Sequence, residues 1–140
     1  DIMIKELLTI SENESALKAA QVMTEKGVSS LIVLADDQPI GIVTERDFIK
    51  KICLKELKLS SVRVGDMMSR IRTSASPDTP IDVAVQRMVN NRIRRLPIFE
   101  NGKVVGIITV TDLAKYLRTI LLLNNTLSSS LLSQSNVENY

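Results

Sequence analysis

A chain of 140 residues with a formal charge of +2 holds one compact domain or two very small interdependent ones, because a unit of about 60 residues buries barely enough surface to stand alone. Its 44% apolar and 24% charged residues, with few Gly and Pro, exclude a disordered chain, and the balanced charge neither demands nor forbids a polyanionic partner. With no histidine and a single cysteine, His-based triads, His-bearing zinc sites and disulfide frameworks are excluded.

In chain order, a short opening segment leads to Ser11-Glu12-Asn13-Glu14, whose spacing is that of a capping box and predicts a helix over 13–26. Ala16, Ala19, Ala20 and Met23 recur along it at helical spacing as one buried stripe. Val28–Leu34 and Pro39–Thr44 are β-branched runs parted by Asp36-Asp37-Gln38, which predicts a hairpin. A helix over 45–57 comes next, carrying Phe48, Ile49, Ile52 and Cys53 on one face, with Cys53 expected as a small buried hydrophobe. The order then returns. Ser76-Pro77 places a capping hydroxyl before a first-turn proline and predicts a helix over 78–91 with Ile81, Ala84, Val85 and Met88 inward. Ile93–Phe99 and Lys103–Thr109 around Asn101-Gly102 predict a second hairpin, and a helix over 110–123 carries Leu113, Tyr116, Leu117 and Ile120 on one face. Residues 124–140 turn to Asn, Ser and Leu and are expected to be a weakly ordered tail; alternatively Leu121–Leu123, Leu127, Leu131 and Leu132 extend the helix and dock on a neighbour. No stretch of eighteen uncharged apolar residues and no signal-peptide pattern is seen, so no membrane span is expected and a reducing, cytoplasmic setting fits.

The recurrence is a duplication. Sliding the sequence by 65 positions pairs residues 1–52 with 66–117 without a gap and makes twelve pairs identical, among them Met3/Met68, Gly41/Gly106, Thr44/Thr109 and Asp47/Asp112; chance gives roughly three or four. The two units are expected at 1–60 and 61–123.

Each second hairpin strand ends alike, as Gly41-Ile42-Val43-Thr44-Glu45-Arg46-Asp47 and Gly106-Ile107-Ile108-Thr109-Val110-Thr111-Asp112. Thr-x-x-Asp is a capping box and by itself only starts a helix. The same turn also offers a carboxylate with two acceptors, suited to the vicinal hydroxyls of a ribose, beside a helix N-terminus and a hydroxyl suited to phosphate. The glycine ahead of it leaves backbone room for close approach. Arg94 and Arg95 stand nearby as a phosphate clamp or, with Arg87 and Arg92, as a nucleic-acid patch.

The duplicated pattern of Asp-x-Met openings, Val-Ser-Ser-Leu-Ile-Val or Ile-Arg-Arg-Leu-Pro-Ile, and Gly-Ile-Val/Ile-Thr-x-x-Asp resembles a pair of cystathionine-β-synthase (CBS) domains, the tandem arrangement called a Bateman module, from Asp1 to about Leu123. The resemblance implies an α/β (α+β) fold of two βαββα repeats packed about a pseudo-twofold axis, with two clefts that in many members hold AMP, ADP, ATP, S-adenosylmethionine or another adenosyl ligand. It implies ribose binding by Asp47 and Asp112, and ribose or phosphate contacts from Thr44, Arg46, Thr109, Thr111, Arg94 and Arg95. The Asp112 cleft would be completed by Met3–Leu7, including Lys5, and by Val28-Ser29; the Asp47 cleft by Met68, Ser69, Arg70, Ile71 and Arg72 with Ile93-Arg94. Ile107 adds to the adenine rim. Family geometry would turn Arg94 and Arg95 toward Asp112, whose cleft is therefore expected to bind nucleotide more strongly, while Ile32 in the place of Pro97 departs from the family pattern.

Three function classes fit these residues. The first is a non-enzymatic regulatory sensor of an adenine nucleotide that requires no cofactor or metal, forms a homodimer through its helical faces and signals to an effector protein. The second is a ligand-free dimerisation scaffold and the third an enzyme, with a nucleic-acid-binding accessory protein, acting through Arg87, Arg92, Arg94 and Arg95, as a minor variant. No nucleophile-base pair, metal cluster or phosphate-binding glycine loop supports catalysis.

Overall fold

The computed structural model describes residues 7–139, with side chains through residue 126. Strand β1 (Thr9–Ser11) leads into helix α1 (Ala16–Lys26), and β2 (Ser30–Ala35) and β3 (Gln38–Thr44) form the hairpin. A short α2 (Glu45–Phe48) runs into a π-helical turn over Ile49–Cys53, and a 3-10 turn at Leu59–Ser61 leads to α3 (Val64–Met67) and β4 (Ser69–Arg70). The second unit continues as α4 (Ile81–Asn91), β5 (Arg95–Glu100), β6 (Lys103–Thr109) and the long α5 (Val110–Asn139).

Both hairpins close on two residues with positive φ, Asp36 and Asp37 in the first, Asn101 and Gly102 in the second, the geometry that matches the right-handed strand twist. Both carry the register shift at equivalent places, Val33/Leu34 and Ile98/Phe99. The duplication seen in the sequence is therefore a duplication of backbone geometry.

The helix starts lie later than predicted. Ser15, not Ser11, caps α1: its hydroxyl accepts from the Lys18 amide at 3.1 Å, while Ser11 closes a local turn with Asn13. Ser15→Ala is expected to lower stability by about 1 kcal/mol, read as a lower urea midpoint at unchanged slope. In the second unit α4 begins at Ile81, and the Ser76 amide and hydroxyl instead engage the Thr79 hydroxyl.

The helix predicted over 45–57 is broken by the wide turn, where Leu54 and Leu57 donate to carbonyls five residues back. Each extra residue in a turn rotates the next segment by about 100°. Ile52 consequently faces the core and Cys53 faces solvent, which corrects the expectation of a buried cysteine. At the other end, α5 continues past Leu123, the predicted end, to Asn139; the side chains of Leu127, Leu131 and Leu132 lie outside the described residues.

The first sheet has the order β1-β2-β3-β4, with β1 parallel to β2 and the rest antiparallel. Its last strand comes from the second unit, so the chain crosses over. Val64 and Met67 cross with it and are buried among Ala16, Ala19, Met23, Leu31, Val33, Val43 and Ile52. The second sheet pairs β5 with β6, and Ala75 makes an isolated parallel bridge to Ile98 where β1 made a strand. The proline explains part of this difference. Ile32 donates its amide to the Leu8 carbonyl at 3.0 Å, and Pro97, its counterpart, has no N–H to give. The second unit's own core gathers Ala84, Met88, Leu96, Ile98 and Ile108. A third cluster, Ile32, Ile42 and Ile107 with Ile71 and Leu7, joins the two units.

Candidate functional site

Each Thr-x-x-Asp turn sits where a hairpin strand passes into a helix, and the backbone there is anchored alike in both copies. The Glu45 amide donates to the Ser29 carbonyl (3.3 Å) and the Val110 amide to the Arg94 carbonyl (3.0 Å). Within the turn the threonine amide and hydroxyl both donate to one carboxylate oxygen: at 2.9 and 3.2 Å for Thr44 to Asp47 Oδ2, and at 3.1 and 2.8 Å for Thr109 to Asp112 Oδ2. The Asp112 amide also donates to the Thr109 hydroxyl at 3.0 Å, completing a capping box.

Beyond that shared half, the two carboxylates differ. Asp47 is 7% exposed, and its Oδ1 accepts from the Ser69 hydroxyl at 3.2 Å and pairs with the Lys51 ammonium at 3.1 Å. Lys51 also donates to the main-chain carbonyls of Met67 (2.7 Å) and Met68 (3.2 Å). Asp112 is half-buried, and among the described residues no donor reaches its Oδ1. Lysine and serine are what the repeat changed, because Lys51 corresponds to Tyr116 and Ser69 to Ile4.

The structure places Met68, Ser69, Arg70 and Ile71 on the Asp47 side, along β4 and its ends. Arg70 pairs with Gly41 across β3 and β4, Ile71 donates to the Ile40 carbonyl at 3.2 Å, and Met68 packs on the first core. Close approach at Gly41 is real, but protein makes it: a Cβ there would lie 2.8 Å from the Ser69 carbonyl oxygen. The room attributed to a ligand in the sequence is taken up by β4.

Arg94 and Arg95 part company. Arg94 stays on the Asp112 turn through its carbonyl, whereas Arg95 reaches across to the first unit and donates to the Ser29 hydroxyl at 3.1 Å. Burial pushes its guanidinium below the usual range, and Glu45 and Asp47 partly restore it against the repulsion of Arg94. This corrects the expectation that Arg95 faces Asp112: its guanidinium is held at the first turn by the Ser29 hydroxyl, within reach of the Glu45 and Asp47 charges. Arg46 and Thr111 are exposed at the two turns.

Several rim residues are occupied by packing. Ile107, 3% exposed, belongs to the cluster joining the units, and Ile93 packs on the second core. Val28 lines, with Ala20, Met23, Thr24, Glu45, Phe48 and Ile49, an open apolar groove of about 230 Å³ between α1 and α2. Ser29 lies at the first turn, with its hydroxyl taken by Arg95 and its carbonyl by the Glu45 amide. Lys5 and the rest of the opening before Leu7 lie outside the described residues. Lys51, which no motif marked, is the residue sequence reasoning missed; its signal was the i, i+4 spacing from Asp47. Among the described residues no group of three or more acidic or cysteine side chains can hold a metal, and no helix is long and apolar enough to cross a membrane.

A family model described as CBS domain matches residues 1–53 and 64–119. Over 115 residues the chain is 36% identical to an uncharacterized protein of Methanopyrus kandleri, covering 81% of this chain and 59% of that one. It is 35% identical over 117 residues to a homoserine O-acetyltransferase of Methanohalobium evestigatum, covering 82% of this chain and 23% of the enzyme. The chain thus spans only part of the length of these relatives. A solved protein with CBS domains from Burkholderia ambifaria superposes with a TM-score of 0.73 at 33% identity, covering 81% of this chain and 83% of that one. With two such matches in tandem, each ending its hairpin in the same Thr-x-x-Asp turn, the chain belongs to the CBS-domain family as a tandem CBS pair.

Proposed function

We propose that this CBS pair is a regulatory module that senses an adenine nucleotide or a related adenosyl ligand, AMP, ADP, ATP or S-adenosylmethionine, and catalyses no reaction itself. The observation that carries this reading is the Asp112 turn. One carboxylate oxygen is fixed by Thr109 while the other has no described donor, so an acceptor of full charge is held rigidly beside the N-terminus of α5. A ribose diol supplies the donors, and Thr109, Thr111 and Arg94 stand close enough in the chain to address ribose or phosphate. The occurrence of a matching segment as 23% of an acetyltransferase supports a part appended to a function rather than one that performs it.

Asp112→Asn keeps an oxygen for the Thr109 donors and removes the charge. It is expected to weaken AMP binding roughly 10–100-fold, since hydrogen bonds to a charged partner contribute about 1.5–3 kcal/mol. Calorimetric titration with AMP and 2′-deoxy-AMP checks it: the deoxy compound should bind more weakly to the wild type and lose little more in the variant. Equal affinity for both compounds in the wild type sinks the diol reading. Thermal shift extends the test to ADP, ATP and S-adenosylmethionine, with about 2.7 kcal/mol of stabilisation at 100 times the dissociation constant.

The ligand-free scaffold is the second reading, and one observation favours it. Ile49, Leu54 and Leu57 after α2 and Leu117, Leu121 and Leu123 on α5 are large, apolar and exposed, as an association surface between two copies would be. Light scattering that finds a dimer while every nucleotide leaves the melting temperature unchanged would establish that reading over the sensor.

A further inference from the structure

We propose that the two duplicated carboxylates have separate roles: Asp112 takes the nucleotide, and Asp47 is a latch that, through Lys51 and Ser69, clamps the incoming strand of the second unit onto the first, so that one chain binds one nucleotide. The Asp112 half rests on the sensor reading; the latch does not.

An ionised carboxylate has about four acceptor positions. At Asp47 four donors are already in place: the Thr44 amide and hydroxyl on one oxygen, the Ser69 hydroxyl and the Lys51 ammonium on the other. A ribose diol arriving there meets a carboxylate with no lone pair to spare. To take it, the sugar would have to displace Lys51, whose ammonium simultaneously holds the Met67 and Met68 carbonyls. Those carbonyls end α3 and lead directly into β4, the strand that the second unit lends to the first sheet. The three donors of one ammonium thus join the α2 carboxylate of Asp47 and the end of α3 at a single point, and Ser69 adds a bond from β4 itself.

The geometry gives the latch a reason. β4 is two residues long, and two ladder pairs hold a crossing strand weakly. A charge-assisted network at its start fixes what the short strand cannot. In the second copy Tyr116 replaces Lys51, and a phenol offers neither the charge nor three donors. Among the described residues Asp112 therefore keeps open the oxygen that Asp47 has closed.

The test uses the full 140-residue chain, with AMP as the probe and thermal unfolding without ligand as a second readout. Calorimetry is expected to give one AMP per wild-type chain. Lys51→Met should lower the ligand-free melting temperature by about 3–6 °C and leave AMP affinity within about twofold. Asp112→Asn should show the reverse, with affinity lost and the melting temperature moved by no more than about 2 °C. Asp47→Asn and Lys51→Met combined should cost less than the sum of the two, the signature of a shared interaction. Ser69→Ala, a milder change, reports on the same network if Asp47→Asn does not fold. Two equivalent AMP sites per chain, or additive melting shifts for Asp47 and Lys51, overturn the proposal. If the wild type binds no AMP, the Asp112 role fails together with the sensor reading, while the latch is upheld or overturned by the melting cycle alone.

Discussion

Met67→Ala is expected to lower the unfolding free energy by about 2–5 kcal/mol, the range for emptying a fully packed site of this size. Met67 is 1% exposed and sits among Ala16, Ala19, Met23, Leu31, Val33 and Val43. By sequence it belongs to the second CBS unit, yet every one of those neighbours belongs to the first. The loss is therefore a loss at the joint between the units, and it should move the unfolding of both. Urea denaturation monitored by circular dichroism measures it, with Met67→Leu as the volume-conserving control expected to cost less than about 1.5 kcal/mol. Two resolved transitions in Met67→Ala, one at the wild-type midpoint, would show that the units unfold independently and that the shared packing does not couple them.

Gly41→Val is expected to destabilise by about 3 kcal/mol or more, through overlap rather than through lost burial. A Cβ at Gly41 would lie 2.5 Å from Met68 Sδ and 2.8 Å from the Ser69 carbonyl oxygen. The sulfur can swing aside, but the carbonyl cannot. Its strand is tied on both flanks, by the Gly41–Arg70 register and the Ile71 amide on one side and by Lys51 on the Met67 and Met68 carbonyls on the other. Relief thus requires β4 to leave the sheet, and the Ser69 bond to Asp47 goes with it. Hydrogen exchange at the Ile71 amide should accelerate relative to amides of the β2–β3 hairpin. A wild-type melting temperature together with unchanged protection at Ile71 would mean that the crossing is looser than these distances imply.

The duplication and much of its consequence were legible in the residues. The hairpins, the buried positions Ala16, Ala19 and Met23 of α1 and Ala84 and Met88 of α4, and the strand-to-helix position of both Thr-x-x-Asp turns come from local chemistry: β-branched runs, turn residues that accept positive φ, and apolar side chains at helical spacing. Gln38, expected in the first turn, instead opens β3, and Ile81, expected inward, is exposed at the start of α4. The element ends were less legible. Ser11 and Ser15 are both able to cap, and only the segment arriving from residues 62–65, which takes the Ala16 amide on the Val62 carbonyl and gives the Val64 amide to the Glu14 carbonyl, selects the second. The π-helical turn left no pattern, since one inserted residue shifts a helical face without changing composition.

By itself the sequence determined that two like units exist, that each ends a hairpin in a hydroxyl and a carboxylate three residues apart, and that Lys51 and Ser69 lack counterparts of the same chemistry in the other copy. Those are properties of neighbours along the chain. Only the tertiary structure decided that β4 crosses to the other unit's sheet, that Gly41 is small for the sake of that crossing, that Arg95 reaches Ser29 from 66 positions away, and that, among the described residues, Asp47 is enclosed by donors while Asp112 is not. Each of these depends on where a distant segment comes to rest, and the free energy that places it comes from packing and from satisfying buried polar groups across the fold, which no local pattern encodes.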